Sequence, residues 1–183
     1  MRNVAAIALL LLIGCASSSP PRAEESTRVT IATTGGNFSV RLLPNLAPKT
    51  VAQFLRLVRG GVYDSVYFYR VEQNFVAQAA TADDREVPLT PEQRALIVPI
   101  PLETGDLRHT RGVLSLAHGD DPNSGETSFS ILLAGAPHLD GKFTIFGVLE
   151  GGDDVLRSIE SSYNQQARDK DGKRLQIISI KAE

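Results

Sequence analysis

Apolar and polar side chains alternate with a period of two along Arg28-Val29-Thr30-Ile31-Ala32 and again along Asn37-Phe38-Ser39-Val40-Arg41-Leu42. Thr34-Gly35-Gly36 between them is a turn signal, so the two stretches predict a β-hairpin. The period then changes. Pro48 stands where the first turn of a helix tolerates it, and Val51, Phe54, Leu55 and Val58 recur at helical spacing until Gly60-Gly61 ends the segment. This predicts one amphipathic helix with a single core-facing side. Short apolar runs follow at 66–71, 74–80, 112–117, 128–133, 144–149 and 175–180, separated by stretches rich in Gly, Asp, Pro and Asn, and they predict strands. Asp153-Asp154 ahead of Val155, Leu156 and Ile159 favour a helix N-terminus and predict a second short helix before the last strand. Eight strands and two helices in this order predict a mainly β fold: a closed eight-stranded antiparallel β-barrel with a helix over each open end. Residues 81–110, with Pro88, Pro91, Pro99 and Pro101, fit neither period and read as a long connection.

Composition narrows the partners. The 183 residues are 42% hydrophobic and 22% charged, as expected for one globular domain with a tail. The formal net charge is −2, with basic residues scattered among acidic ones, so nucleic acid is not an expected partner. Cys15 is the single cysteine, which excludes an intrachain disulfide and a cysteine-rich metal site. His109, His118 and His138 lie too far apart in sequence to form a helical pair of ligands, and no metal site is expected. Arg2, the apolar run from Val4 to Ile13 and the small residues after it follow the plan of a secretory signal, too short to span a bilayer. Its end, Leu12-Ile13-Gly14-Cys15, resembles the bacterial lipobox, which implies lipidation of Cys15 and a stable membrane anchor. Residues 1–14 are then a lipoprotein signal peptide. Residues 15–26, with a serine cluster, Pro20-Pro21 and Glu24-Glu25, form a flexible tether, and residues 27–183 the folded domain. The expected location is the cell envelope, lipid-anchored, with the periplasmic side and the outer membrane favoured because no aspartate follows Cys15.

Five segments in fixed order carry a family resemblance. Residues 68–78, FYRVEQNFVAQ, resemble the cyclophilin signature: an aromatic or histidine, Arg, two apolar residues, a turn, Phe, an apolar residue, and Gln two positions further on. Arg70, Phe75 and Gln78 fall in register with it. Residues 110–118, TRGVLSLAH, 123–131, NSGETSFSI, and 139–147, LDGKFTIFG, are similar to later cyclophilin segments, and 47–54, APKTVAQF, to the family's first helix. Together they span nearly all of residues 27–183. The resemblance implies a cyclophilin-type peptidyl-prolyl cis-trans isomerase acting on proline-containing polypeptides outside the cytoplasm and assisting their folding.

Rotation about an X-Pro bond is opposed by amide resonance, a barrier of about 18–20 kcal/mol, and no covalent bond is made or cut. Such catalysis requires no nucleophile, metal or cofactor. It requires a donor that favours a pyramidal proline nitrogen and an apolar seat for the ring. By the resemblance, Arg70 is the donor, Gln78 bonds the substrate backbone, and Phe75, Val76 and Leu139 line the proline pocket beside Ala117. Ser130 stands where cyclophilins usually carry a pocket-floor phenylalanine, with Phe129 expected on the opposite face of its strand. His138 replaces the usual Trp or Phe at the rim, Phe143 stands where many members have His or Tyr, and Ala79-Ala80 replaces a common Gly-Gly. These departures leave an alternative: a proline-peptide binding module of the cell envelope with little or no turnover.

Overall fold

The computed structural model describes residues 27–183; the expected signal peptide, Cys15 and tether lie outside the described residues. Eight strands close into an antiparallel barrel: β1 (Arg28–Thr33), β2 (Gly36–Leu42), β3 (Val66–Glu72), β4 (Val76–Ala79), β5 (Val113–Leu116), β6 (Phe129–Leu132), β7 (Ile145–Gly151) and β8 (Gln176–Ala182). Their order around the barrel is β1-β2-β7-β5-β6-β4-β3-β8. The first hairpin turns on Gly36, whose φ of 122° puts it in a region that L side chains avoid; a Cβ there would meet Val155 at 2.9 Å.

Helices α1 (Pro48–Arg59) and α3 (Asp153–Ser162) take the two ends. α1 sends Phe54 into the barrel, where its ring lies 5.1 Å from Tyr63, 5.2 Å from Phe146 and 5.9 Å edge-on from Phe129. Burial pushes the Tyr63 phenol far above its ordinary pKa, and its hydroxyl donates to the Thr127 carbonyl at 3.3 Å. At the other end, Leu156 and Ile159 of α3 are fully buried, with Ile159 so close under the β1–β2 turn that a Cβ on Gly35 would meet it at 2.9 Å.

The stretch 81–110, read from sequence as a long connection, is ordered by specific bonds. It contains a third helix, α2 (Pro91–Arg94), a single turn closed by a capping box in which Thr90 and Gln93 satisfy each other's backbone N–H groups. Gln93 also donates to the Gly60 carbonyl at 3.0 Å, and Gln53 of α1 donates to the Leu96 carbonyl at 2.7 Å. Further along, the Glu103 carboxylate accepts from the backbone N–H of Lys49 at 3.0 Å and of Thr50 at 2.8 Å, and from the Thr50 hydroxyl at 2.7 Å. Ala47 at the N-cap of α1 has no side chain with which to do this. The connection therefore supplies from a distance the cap that the helix lacks locally.

Candidate active site

The site lies on the outer face of the barrel wall. Leu114, Leu116, Phe129 and Ile131 point into the main core, while Val76, Val113, Leu132 and Ile145 point the other way and form a second, smaller apolar cluster with Ala136, Phe75 and Leu139 against them. Strand pairing sets Arg70 opposite Gln78, Gln78 opposite Ser130, and Ser130 opposite Ser115. Four polar residues thus form one row across β3, β4, β6 and β5, neighbours about 5 Å apart at Cβ.

A β-bulge puts Arg70 in that row. Val66 and Phe68 face the core, so strict alternation would send residue 70 inward as well. The β3–β4 register slips between Phe68 and Arg70, leaving Tyr69 as an extra residue; from there Val71 is the core residue and Arg70 and Glu72 face outward. The Tyr69 hydroxyl meets the Ser128 hydroxyl at 2.9 Å, and burial raises its pKa. Asn74, at φ 59°, turns the chain so that Phe75 returns beside Arg70. The Arg70 guanidinium carbon sits 5.2 Å from the centre of the Phe75 ring, and the His138 and Phe75 ring centres lie 5.4 Å apart, tilted.

These groups enclose a cavity of about 110 Å³. Arg70, Phe75, Val76, Gln78, Ala117, Ser130, Leu139 and Phe143 all line it, so eight of the nine residues singled out from sequence for this site meet at one place. His138 does not line the cavity; its ring packs on Phe75, which does. Phe143 is fixed by stacking on His118 at 4.3 Å. Of the pair 129 and 130, Phe129 is fully buried in the barrel and Ser130 faces the cavity. A shallower depression of about 360 Å³ adjoins this one, sharing Gln78 and Ala117 and bounded by Tyr69, His118 and Ser128. It is the larger space, but Arg70 does not line it.

Three features carry no mark in the sequence pattern. Glu72 accepts from Arg70 Nε at 3.1 Å and from its Nη2. Ser115 joins the floor. Behind it, His109 is buried, its Nε2 3.0 Å from the Ser115 hydroxyl and its Nδ1 2.9 Å from an Asp140 carboxylate oxygen that also accepts the His109 backbone N–H at 2.8 Å. That backbone bond, with the ring bond beside it, holds the Asp140 carboxyl below the usual carboxylate range. Among the described residues no group of three or more His, Cys, Asp or Glu is arranged to hold a metal ion.

The site thus sets an outward-facing guanidinium beside a small, partly apolar cavity on a closed eight-stranded barrel. The family model for "Cyclophilin type peptidyl-prolyl cis-trans isomerase/CLD" matches residues 28–182, and the chain belongs to this family. It is 41% identical over 157 residues to the peptidyl-prolyl cis-trans isomerase CYP23 of Arabidopsis thaliana, covering 84% of this chain and 70% of that one. To a probable peptidyl-prolyl cis-trans isomerase of Brucella suis it is 32% identical over 164 residues, covering 85% and 82%. The crystal structure of a cyclophilin-type isomerase from Cryptosporidium parvum, determined in the presence of the dipeptide Ala-Pro, superposes with a TM-score of 0.70 at 26% identity, covering 85% of this chain and 98% of that one.

Proposed function

We propose that this isomerase acts on X-Pro bonds of polypeptides outside the cytoplasm and assists their folding, with Arg70 as the donor to the proline nitrogen. The observation that carries the assignment is the place of Arg70: its guanidinium lies over Phe75 at the mouth of the cavity that Val76, Leu139 and Phe143 line. The ring sits in the cavity. The guanidinium hydrogen-bonds the nitrogen lone pair as amide conjugation is lost, and Gln78, its cross-strand partner, holds the substrate backbone along the shallower depression. Each 1.4 kcal/mol by which this arrangement favours the twisted amide gives about tenfold in rate. That the Cryptosporidium relative was crystallised with Ala-Pro supports proline peptides as the ligand class. The test is the isomerisation rate of a proline tetrapeptide with the purified chain and with Arg70→Ala. A loss of about a hundredfold in kcat/KM is expected; equal and negligible rates in both would favour the second reading.

The second reading is a proline-peptide binding module with little turnover. It draws on Ser130 in the cavity floor and on Glu72, which occupies one edge of the Arg70 guanidinium. Peptide binding without rate enhancement would identify it.

The extracytoplasmic setting rests on the N-terminal sequence alone: the apolar run and Cys15 imply a lipid-anchored protein of the cell envelope, on the periplasmic side and with the outer membrane favoured, whose tether at 15–26 holds the domain from the membrane. Cys15→Ser should lose the lipid mass and leave the membrane fraction, and unchanged membrane association would refute the anchor.

A further inference from the structure

The floor of the cavity is polar where a proline ring is not. Ser115 and Ser130 face each other across β5 and β6, both buried and both lining the cavity, while Phe75, Val76, Leu139 and Phe143 make its sides. The two hydroxyls differ in what they offer. Asp140 faces His109 Nδ1 and the Ser115 hydroxyl faces Nε2; in the tautomer that donates from Nδ1 to the carboxylate, Nε2 accepts from Ser115, whose lone pairs then turn toward the cavity. Among the described residues the Ser130 hydroxyl forms no hydrogen bond, and its oxygen is open to the cavity, so it can donate into it. The floor thus presents one acceptor and one donor side by side. A single hydroxyl on the ligand satisfies both; a carbonyl or a methylene does not.

The atom of a proline ring that reaches a pocket floor is the apex carbon opposite the backbone. We infer that the cavity selects an imino-acid ring hydroxylated at that apex, 4-hydroxyproline in preference to proline, with the ring hydroxyl donating to Ser115 and accepting from Ser130. The inference rests on the cavity being the seat of the imino-acid ring, as proposed above. Proline seated there would cover the Ser130 hydroxyl with methylene and leave it without a partner, which costs more than placing the same ring on an apolar floor. The bond order Asp140, His109, Ser115 also invites a nucleophilic serine, but the geometry opposes it. Ser115 lies within a paired strand, and the N–H groups of Leu116 and Ala117 that could hold an oxyanion are spent on the Thr144 and Ser128 carbonyls at 2.9 Å each.

The test compares matched Ala-Pro-Phe and Ala-Hyp-Phe peptides, with trans-4-hydroxyproline, by magnetisation-exchange NMR on the wild type and on Ser130→Ala. The quantity read is the hydroxyproline-to-proline ratio of kcat/KM, which is insensitive to a loss of folded protein. It should exceed one in the wild type and fall about three- to tenfold in Ser130→Ala, the worth of one neutral hydrogen bond. Equal ratios in the two proteins overturn the inference. If the wild type turns over neither peptide, the isomerase assignment fails separately, and the same ratio is taken from dissociation constants in peptide titrations. Tighter hydroxyproline binding that Ser130→Ala abolishes then sustains the inference, and equal affinities or no binding overturn it.

Discussion

Glu72 holds Arg70 in the free protein: the carboxylate accepts from both Nε and Nη2 of the guanidinium, two residues away on the same face of β3. The cyclophilin signature has an apolar residue at this position, so the pair is a departure that changes the electrostatics of the donor. Both side chains are substantially open to water, 41% for Arg70 and 38% for Glu72, so the ion pair is worth no more than about 1 kcal/mol. Its larger effect is on the field at the cavity mouth, where a carboxylate hydrogen-bonded to the guanidinium opposes the charge that the twisted amide nitrogen needs. Glu72→Gln keeps a hydrogen-bond acceptor and removes the charge. It should raise kcat/KM for a proline peptide about two- to fivefold, with the gain shrinking as salt is added. A fall in rate would mean that the carboxylate orients Arg70 more than it opposes it.

Glu103 is the cap of α1, and α1 carries Phe54 into the barrel core. Removing the carboxylate leaves two first-turn N–H groups and the Thr50 hydroxyl without their acceptor. Glu103→Ala should lower stability by about 1–2 kcal/mol in urea denaturation with an unchanged m-value. Glu103→Gln, which can still accept, should fall between the two. A midpoint shift too small to measure in Glu103→Ala would show that water caps the helix as well as the carboxylate does.

How the sequence foretold some of these residues and not others has a physical cause in each case. Alternation located β1 and β2, short apolar runs between turn signals located the other six strands, β5 and β6 among them with both faces buried, and the spacing of Val51, Phe54, Leu55 and Val58 located α1 because one side of that helix is buried. Closure followed from the strand count. The placement of Arg70 did not follow from alternation: counted from Val66 and Phe68, it points inward, and only the unpaired Tyr69 reverses this. Family spacing found Arg70 where periodicity would have lost it. The stretch 81–110 was opaque because its order comes from single long-range bonds, Glu103 to α1 and Gln93 to Gly60, which leave no period. Glu72, His109 and Asp140 were missed for the same reason, since a charged or histidine side chain in a loop or on a strand surface is unmarked until its partner is known. His138 was placed on the rim by analogy with an aromatic ring; here it packs on Phe75 and does not line the cavity.

Ala80 occupies a glycine's conformation. Its φ of 74° lies in the left-handed region, at the second of two positions where the family commonly has glycine. The strain costs a non-glycine residue about 1–2 kcal/mol. Against this, glycine would give up a buried methyl, about 0.8 kcal/mol, and about 0.5–1 kcal/mol of chain entropy. The opposing contributions nearly cancel, so Ala80→Gly should be close to neutral. Ala79→Gly, equally buried but in ordinary strand conformation, should cost about 1.5 kcal/mol. Equal destabilisation by the two changes, measured by thermal or urea unfolding, would remove the strain from the account.

Acid should act on the cavity floor through Asp140. Its carboxyl titrates below the ordinary value of 3.8 because the His109 backbone N–H, and then the His109 ring, bond the charged form. In the unfolded chain those bonds are gone and the group takes up a proton at its ordinary pKa. The stabilisation is therefore complete above about pH 5, begins to fade as pH falls through about 4, and is lost once the folded carboxyl is protonated. Asp140→Asn lacks the titration. Wild type should be the more stable protein at pH 7, and the difference in urea midpoint between the two should narrow steadily from about pH 5 to about pH 2.5. A difference that stays constant across that range would place the stabilising charge elsewhere, the next candidate being Asp153, whose carboxyl is held low by its bond from Arg111 at 2.8 Å. Asp153→Asn measured over the same range separates the two: if Asp140 is responsible, Asp153→Asn retains the acid sensitivity that Asp140→Asn has lost.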